Sequence, residues 1–111
     1  MDTFTQAYIE AALWSSTDDG GEPLDDKYTV ADIHPDTLAV MVADCAKFQA
    51  ENDLSECGES QAGHDFWLTR NCHGAGFWDG DWPETGDALT LASKAYGEVY
   101  LYVGDDGRIY A

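Results

Sequence analysis

GHDFWLTRNCHGAGFWDGDW, residues 63–82, is the stretch on which the reading of the fold turns. It holds three of the four tryptophans, two of the three histidines and four of the eleven glycines. No other segment mixes large aromatics, glycines and titratable groups so densely. Residues 65–70 read as a strand, 71–74 as a polar turn and 75–79 as a second aromatic strand. A reversal this tight calls for positive φ, which Asn and Gly tolerate and bulky residues do not.

Downstream, Pro83 breaks any strand, and Thr85 stands where it would cap a helix with Asp87 in its first turn. Leu89, Ala92 and Tyr96 share one side of that helix, and Gly97 stops it. Residues 98–103 then alternate, with Val99, Leu101 and Val103 on one face and Tyr100 and Tyr102 on the other. Gly104-Asp105-Asp106-Gly107 forms a hairpin turn that returns along residues 108–110.

Upstream, residues 54–63 read as a polar linker. Before it comes the most regular helix of the chain, opening at Pro35 and running to about residue 52. Leu38, Met41, Val42, Cys45 and Phe48 form its apolar face, with Asp44, Lys47 and Glu51 opposite. Cys45 is therefore expected to pack in the core. Residues 15–32 are rich in glycine, proline and aspartate and read as a surface loop, long for so small a domain. Residues 3–15 form the first helix, with Thr3 and Gln6 spaced as a capping box and Phe4, Tyr8, Ala11 and Ala12 recurring at helical period. Ile9 and Leu13 widen that apolar stripe. Together these elements predict one α+β domain spanning residues 1–111. Its sheet is expected to be mainly antiparallel, of three to four strands, with helices over one face.

Charge is the outlying property. Five Lys and Arg stand against 22 Asp and Glu, a net charge of −17. This argues against nucleic acid and anionic membranes as direct partners, since both call for a basic surface. Three cysteines in no metal spacing, and no targeting segment or apolar span, point to a cytoplasmic chain with reduced thiols.

The run His64-Asp65-Phe66-Trp67-Leu68-Thr69-Arg70-Asn71, continued by His73-Gly74-Ala75-Gly76-Phe77-Trp78-Asp79, resembles a family of small acidic proteins of tailed bacteriophages and prophages with no established activity. The opening from Phe4 to Ser16 and the ending from Leu101 to Gly107 resemble the same family, so the likeness covers most of the chain. The resemblance implies a phage setting and the host cytoplasm. It also implies glycine at the place of Cys72, a departure that weakens any role for Cys72 as a nucleophile.

Three chemical constellations compete within residues 63–82. His64, Asp65, Cys72, His73 and Asp79 offer metal donors, yet they lack the paired short spacings of zinc sites. Cys72 beside His73 offers a thiolate–imidazolium pair, though neighbours in a strand point to opposite faces. Asp79-Gly80-Asp81 and Asp105-Asp106 offer paired carboxylates, which read more simply as turn chemistry. No cofactor is expected, and no catalytic residue.

The expected function is that of a non-enzymatic accessory protein that binds a host protein through its acids. In its most concrete form it imitates nucleic acid and occupies the basic groove of a defence enzyme, as an anti-CRISPR or anti-restriction protein would. Asp36, Asp44 and Glu51 along the second helix are expected to lie at intervals of roughly 11 to 12 Å by helical rise. Asp18, Asp19, Glu22, Asp25 and Asp26 in the loop would extend that patch. The rival expectations are a small acidic binding or structural domain with another partner, salt adaptation, or a metal- or Cys/His-dependent enzyme.

Overall fold

The computed structural model describes residues 1–73 and 75–111. Gly74, expected in the polar turn, lies outside the described residues. The helices are α1 (Thr3–Ser15), α2 (Pro35–Glu51), α3 (Glu59–Arg70) and α4 (Gly86–Lys94), followed by β1 (Tyr102–Val103) and β2 (Ile109–Tyr110). The expected sheet of three to four strands is not formed. Among the described residues the only sheet is the two-stranded antiparallel hairpin β1–β2, pairing Tyr102 with Tyr110 and Val103 with Ile109. The fold is mostly helical.

Residues 65–70, expected as a strand, are the second half of α3. Asp65, Phe66, Trp67, Leu68, Thr69 and Arg70 are all buried, so the segment has no polar face to reveal a helical period. A continuous buried run is equally consistent with a core strand or a core helix. α3 is the element the others surround. Its Phe66 ring stacks on Phe48 of α2 at 4.1 Å and lies 5.2 Å from Tyr8 of α1. Trp67 meets Tyr8 edge-on at 5.4 Å.

Close contact between α1 and α3 depends on Gly63, which sits inside α3 and not in a linker. A Cβ there would lie 2.0 Å from the Phe4 carbonyl oxygen and 3.2 Å from Ala7 Cβ. No side chain fits, so the two helix backbones meet directly.

α3 ends in a Schellman motif: Cys72 N–H donates to the Thr69 carbonyl and His73 N–H to that of Leu68. Cys72 has φ +58°, in the left-handed region that favours glycine. Residues 75–79, expected as a second strand, form turns that fold back over α3. Two α3 side chains one turn apart hold this return. Thr69 Oγ1 accepts from Phe77 N–H at 3.0 Å, and Asp65 Oδ2 accepts from Trp82 Nε1 at 2.8 Å. Gly76 has φ +148° and no room for a Cβ against Thr69 Oγ1.

The remaining helices follow their sequence signals, with different caps. The N-cap of α1 is Asp2, whose carboxylate accepts from Thr5 N–H at 2.8 Å, so Thr3 is the first helical residue and not the cap. α2 starts at Pro35 as expected, with His34 as its cap, although Val42 is 39% exposed and does not belong to the buried face. Cys45 is buried in the core. At the start of α4, Thr85 is the capping residue in position only. Glu56, from the segment before α3, accepts from Glu84 N–H, Thr85 N–H and Thr85 Oγ1 at 3.1, 3.1 and 2.7 Å. These bonds hold the Glu56 carboxyl below its usual pKa, the Thr85 hydroxyl being the largest cause.

Residues 15–32 are more ordered than a bare loop. Two short 3₁₀ turns, Leu24–Asp26 and Val30–Asp32, frame them, and Thr17 bridges to Pro23. Leu24 is fully buried beneath α1 and anchors the segment. The C-terminal hairpin closes against the entry to α2 through the Ile33–Ile109 bridge and stacking of Tyr110 on His34 at 4.9 Å.

Candidate functional site

The acids singled out from the sequence fall into three environments. Asp19, Asp25 and Asp26 project into solvent from the segment that Leu24 anchors. Asp18 turns inward, its Oδ1 accepting from Gly20 and Glu22 N–H at 2.9 and 3.1 Å and so shaping the turn. Lys27, the cation of this segment, is held by Glu22 at 3.0 Å and lies 3.9 Å from Asp18 Oδ2. The hydrogen bond to Glu22 holds the Lys27 ammonium above its usual pKa. The exposed acids of the segment therefore outnumber the charge that opposes them.

The acids of α2 do not form the expected free row. Asp36 is exposed at the helix start, but Asp44 Oδ2 receives Arg70 Nη1 at 3.0 Å. Glu51 accepts from the Tyr96 hydroxyl at 3.3 Å. The outermost ridge of α2, at 100° per residue from Asp36, runs through Val40, Ala43, Lys47 and Ala50. All are exposed, and Lys47 is the one charge after Asp36. This helix presents a weakly charged surface, with Asp44 and Glu51 at its border.

Arg70 is the centre of an internal polar network that the sequence did not disclose. Its guanidinium is 3% exposed and donates to the Tyr8 hydroxyl, Asp44, and the carbonyls of Tyr96 and Gly97, all at 2.8 to 3.0 Å. It also lies 5.6 Å from the ring centres of Phe66 and Tyr96. Burial pushes the Tyr8 hydroxyl well above its usual pKa, with Arg70 opposing that rise. Each of the three guanidinium nitrogens donates to a structural partner, so the cluster joins α1, α2, α3 and the end of α4.

The titratable groups of residues 63–82 are dispersed onto separate local tasks. His64 lies 6.1 Å from the Trp14 ring and 3.7 Å from Asp65 Oδ1. Asp65 is buried and receives Gln61 and Trp82. Asp79 accepts from Gly76 N–H at 3.3 Å, and Cys72 is exposed at the helix end. His73 lines a polar cleft of about 460 Å³ whose wall includes Trp67, Asn71 and Tyr100. Three of its wall side chains, Ser15, Trp67 and Asn71, are already engaged. Trp67 Nε1 donates to Ser15 Oγ at 2.7 Å, and Asn71 Oδ1 accepts from Val99 N–H at 2.7 Å. Among the described residues no group of three or more His, Cys, Asp or Glu is placed to hold a metal ion. Among them also, no helix is long and apolar enough to cross a membrane.

A second opening is apolar. α1 and the two 3₁₀ turns enclose a groove of about 430 Å³, floored by Ile9 and Leu13 and walled by Tyr28 and Val30. The exposed carboxylates Glu10 and Asp25 line it as well. The widened apolar stripe of α1 is the sequence signal for its floor. Its other wall comes from a segment that carries no periodic pattern.

Comparison with protein-family models, with curated proteins and with solved structures gives no match for the chain.

Proposed function

We propose that this chain is a phage accessory protein that binds a host protein through its acidic surface. In the form we favour, it imitates a polyanion and blocks a basic nucleic-acid-binding groove of a host defence system. The supporting observation is a charge of −17 combined with a fixed acidic segment. Asp19, Asp25 and Asp26 stand exposed on a turn that Leu24, the Thr17–Pro23 bridge and the Asp18 hydrogen bonds hold in shape. A surface ordered before binding loses less conformational entropy on association. Like-signed acids meeting Lys and Arg would raise the encounter rate and make binding sensitive to salt.

The binding surface is narrower than the sequence implied. Glu22 and Asp18 share Lys27, and Asp44 belongs to Arg70, so Asp19, Asp25 and Asp26 carry the reading, with Asp36 a separate exposed acid. The phage setting rests on the resemblance of the 64–79 stretch and the chain's two ends to phage proteins.

A pull-down from host lysate at low salt tests this reading. The wild-type chain should retain a protein with a nucleic-acid-binding groove, and added duplex DNA or raised salt should release it. The triple change Asp19→Asn, Asp25→Asn and Asp26→Asn should lose it. Retention that ignores duplex DNA, or that the triple change leaves intact, would sink the proposal.

A further inference from the structure

We infer that the groove between α1 and the 24–30 segment takes one bulky apolar side chain of the partner, carried on a stretch rich in Lys and Arg. This inference rests on the proposed acidic binding surface and deepens it by naming an anchor.

The groove floor is aliphatic, from Ile9 and Leu13, and the exposed Val30 extends the apolar surface outward. Its volume of about 430 Å³ falls in the range of sites that enclose a ligand group. The charged side chains in its lining are Glu10 and Asp25, with no lysine or arginine, and these two acids outnumber the single α-ammonium of Met1, which also lines it. Asp26 follows directly in the chain, and the nearby Lys27 is bound to Glu22 at 3.0 Å.

An apolar floor with a carboxylate border selects an occupant by both properties at once. Anionic ligands, including acidic lipid surfaces, are disfavoured by the border. A second copy of this chain would bring another −17 to the contact. A basic segment with a large apolar residue satisfies both parts. Its apolar side chain would be desolvated against Ile9 and Leu13, while its cations would meet Glu10, Asp25 and Asp26. Binding hot spots commonly have this form, a buried anchor inside a polar rim.

The probe is a pair of N-acetylated nonapeptides, four lysines on either side of a central Trp or Ala, titrated by calorimetry at low salt. The Trp peptide should bind the wild-type protein about tenfold more tightly than the Ala peptide, as burial of one large side chain predicts. Two changes at exposed positions test the location. Gln6→Trp fills the groove from α1, and Val30→Asn makes its wall polar. Each should remove the Trp preference while leaving the binding of the Ala peptide and the thermal melting curve unchanged.

Equal affinity for the two peptides, weakened by salt, would overturn the groove assignment and leave the acidic surface standing. A Trp preference that survives both changes would also overturn it. Binding of neither peptide would overturn both. Sedimentation showing a dimer that Gln6→Trp dissociates would assign the groove to a second copy and overturn the inference.

Discussion

Asp44 of α2 and Arg70 of α3 form an ion pair at 3.0 Å, with the guanidinium 3% and the carboxylate 28% exposed. An acid that the sequence assigned to a binding face is thereby the counterion of the most buried cation in the chain. The same Nη1 donates to Tyr8 at 3.0 Å, so the pair is part of a network. Removing the arginine leaves a carboxylate, a hydroxyl and two carbonyls without their donor. Arg70→Leu should therefore destabilise the fold by about 3–5 kcal/mol, the cost of breaking a buried pair from one side. Arg70→Lys should recover only part of this loss, since an ammonium lacks the planar fork. Urea unfolding measures both, and an unchanged midpoint for Arg70→Leu would refute the network.

Gly63 predicts a second large effect. With Phe4 O 2.0 Å from where a Cβ would stand, Gly63→Ala must push α1 from α3. The better helix propensity of alanine is worth about 1 kcal/mol. Overpacking against backbone should exceed that gain, for a net loss of about 2 kcal/mol. A melting temperature equal to or above wild type would show that the two backbones have room to separate.

Cys72 predicts a gain. Its φ of +58° places a side chain where glycine is at ease, and the residue is exposed. Cys72→Gly should stabilise the protein by about 1 kcal/mol, because left-handed strain at a non-glycine residue costs roughly that much. Denaturant titration would decide it, and a loss of stability would assign Cys72 a packing role.

Stability should also fall at high pH. Burial pushes the Cys45 thiol up to about 12, and raises the Tyr8 hydroxyl as well. Both groups hold their protons more tightly folded than unfolded. Their contribution is fully present below the unfolded values, roughly 8.5 for a thiol and 10 for a phenol. It is lost as pH rises through the folded ones. The urea midpoint should hold level to about pH 8 and then decline towards pH 12. In thiol titration with a chromogenic disulfide, Cys57 and Cys72 should react in the native state and Cys45 only on unfolding. Prompt reaction of all three thiols would contradict the burial of Cys45.

Local signals in the sequence were a sound guide wherever one element faces water on one side. α1, α2 and α4 show a helical period because each has a wet face, and Gly104 to Gly107 makes its turn from its own residues. α3 gave no such signal because solvent reaches little of it, and its aromatic residues then suggested a strand. The strand expected over 98–103 shrank to two residues for another reason. The Val99 amide is taken by Asn71 Oδ1 from the end of α3 rather than by a neighbouring strand. The site divides in the same way. Asp19, Asp25 and Asp26 were legible as exposed because glycine and proline mark their segment as surface. Asp44 was not, since its partner lies 26 positions away, nor was the groove, whose two walls come from separate segments.

The Ile33–Ile109 bridge gives this small fold a late step in its assembly. During synthesis, Ile33 would leave the ribosome well before residue 109 exists to meet it, and α2 would wait with its N-terminal flank uncovered. Closing so long a loop costs entropy that contacts within a single helix do not, so the hairpin should dock after the helices have formed.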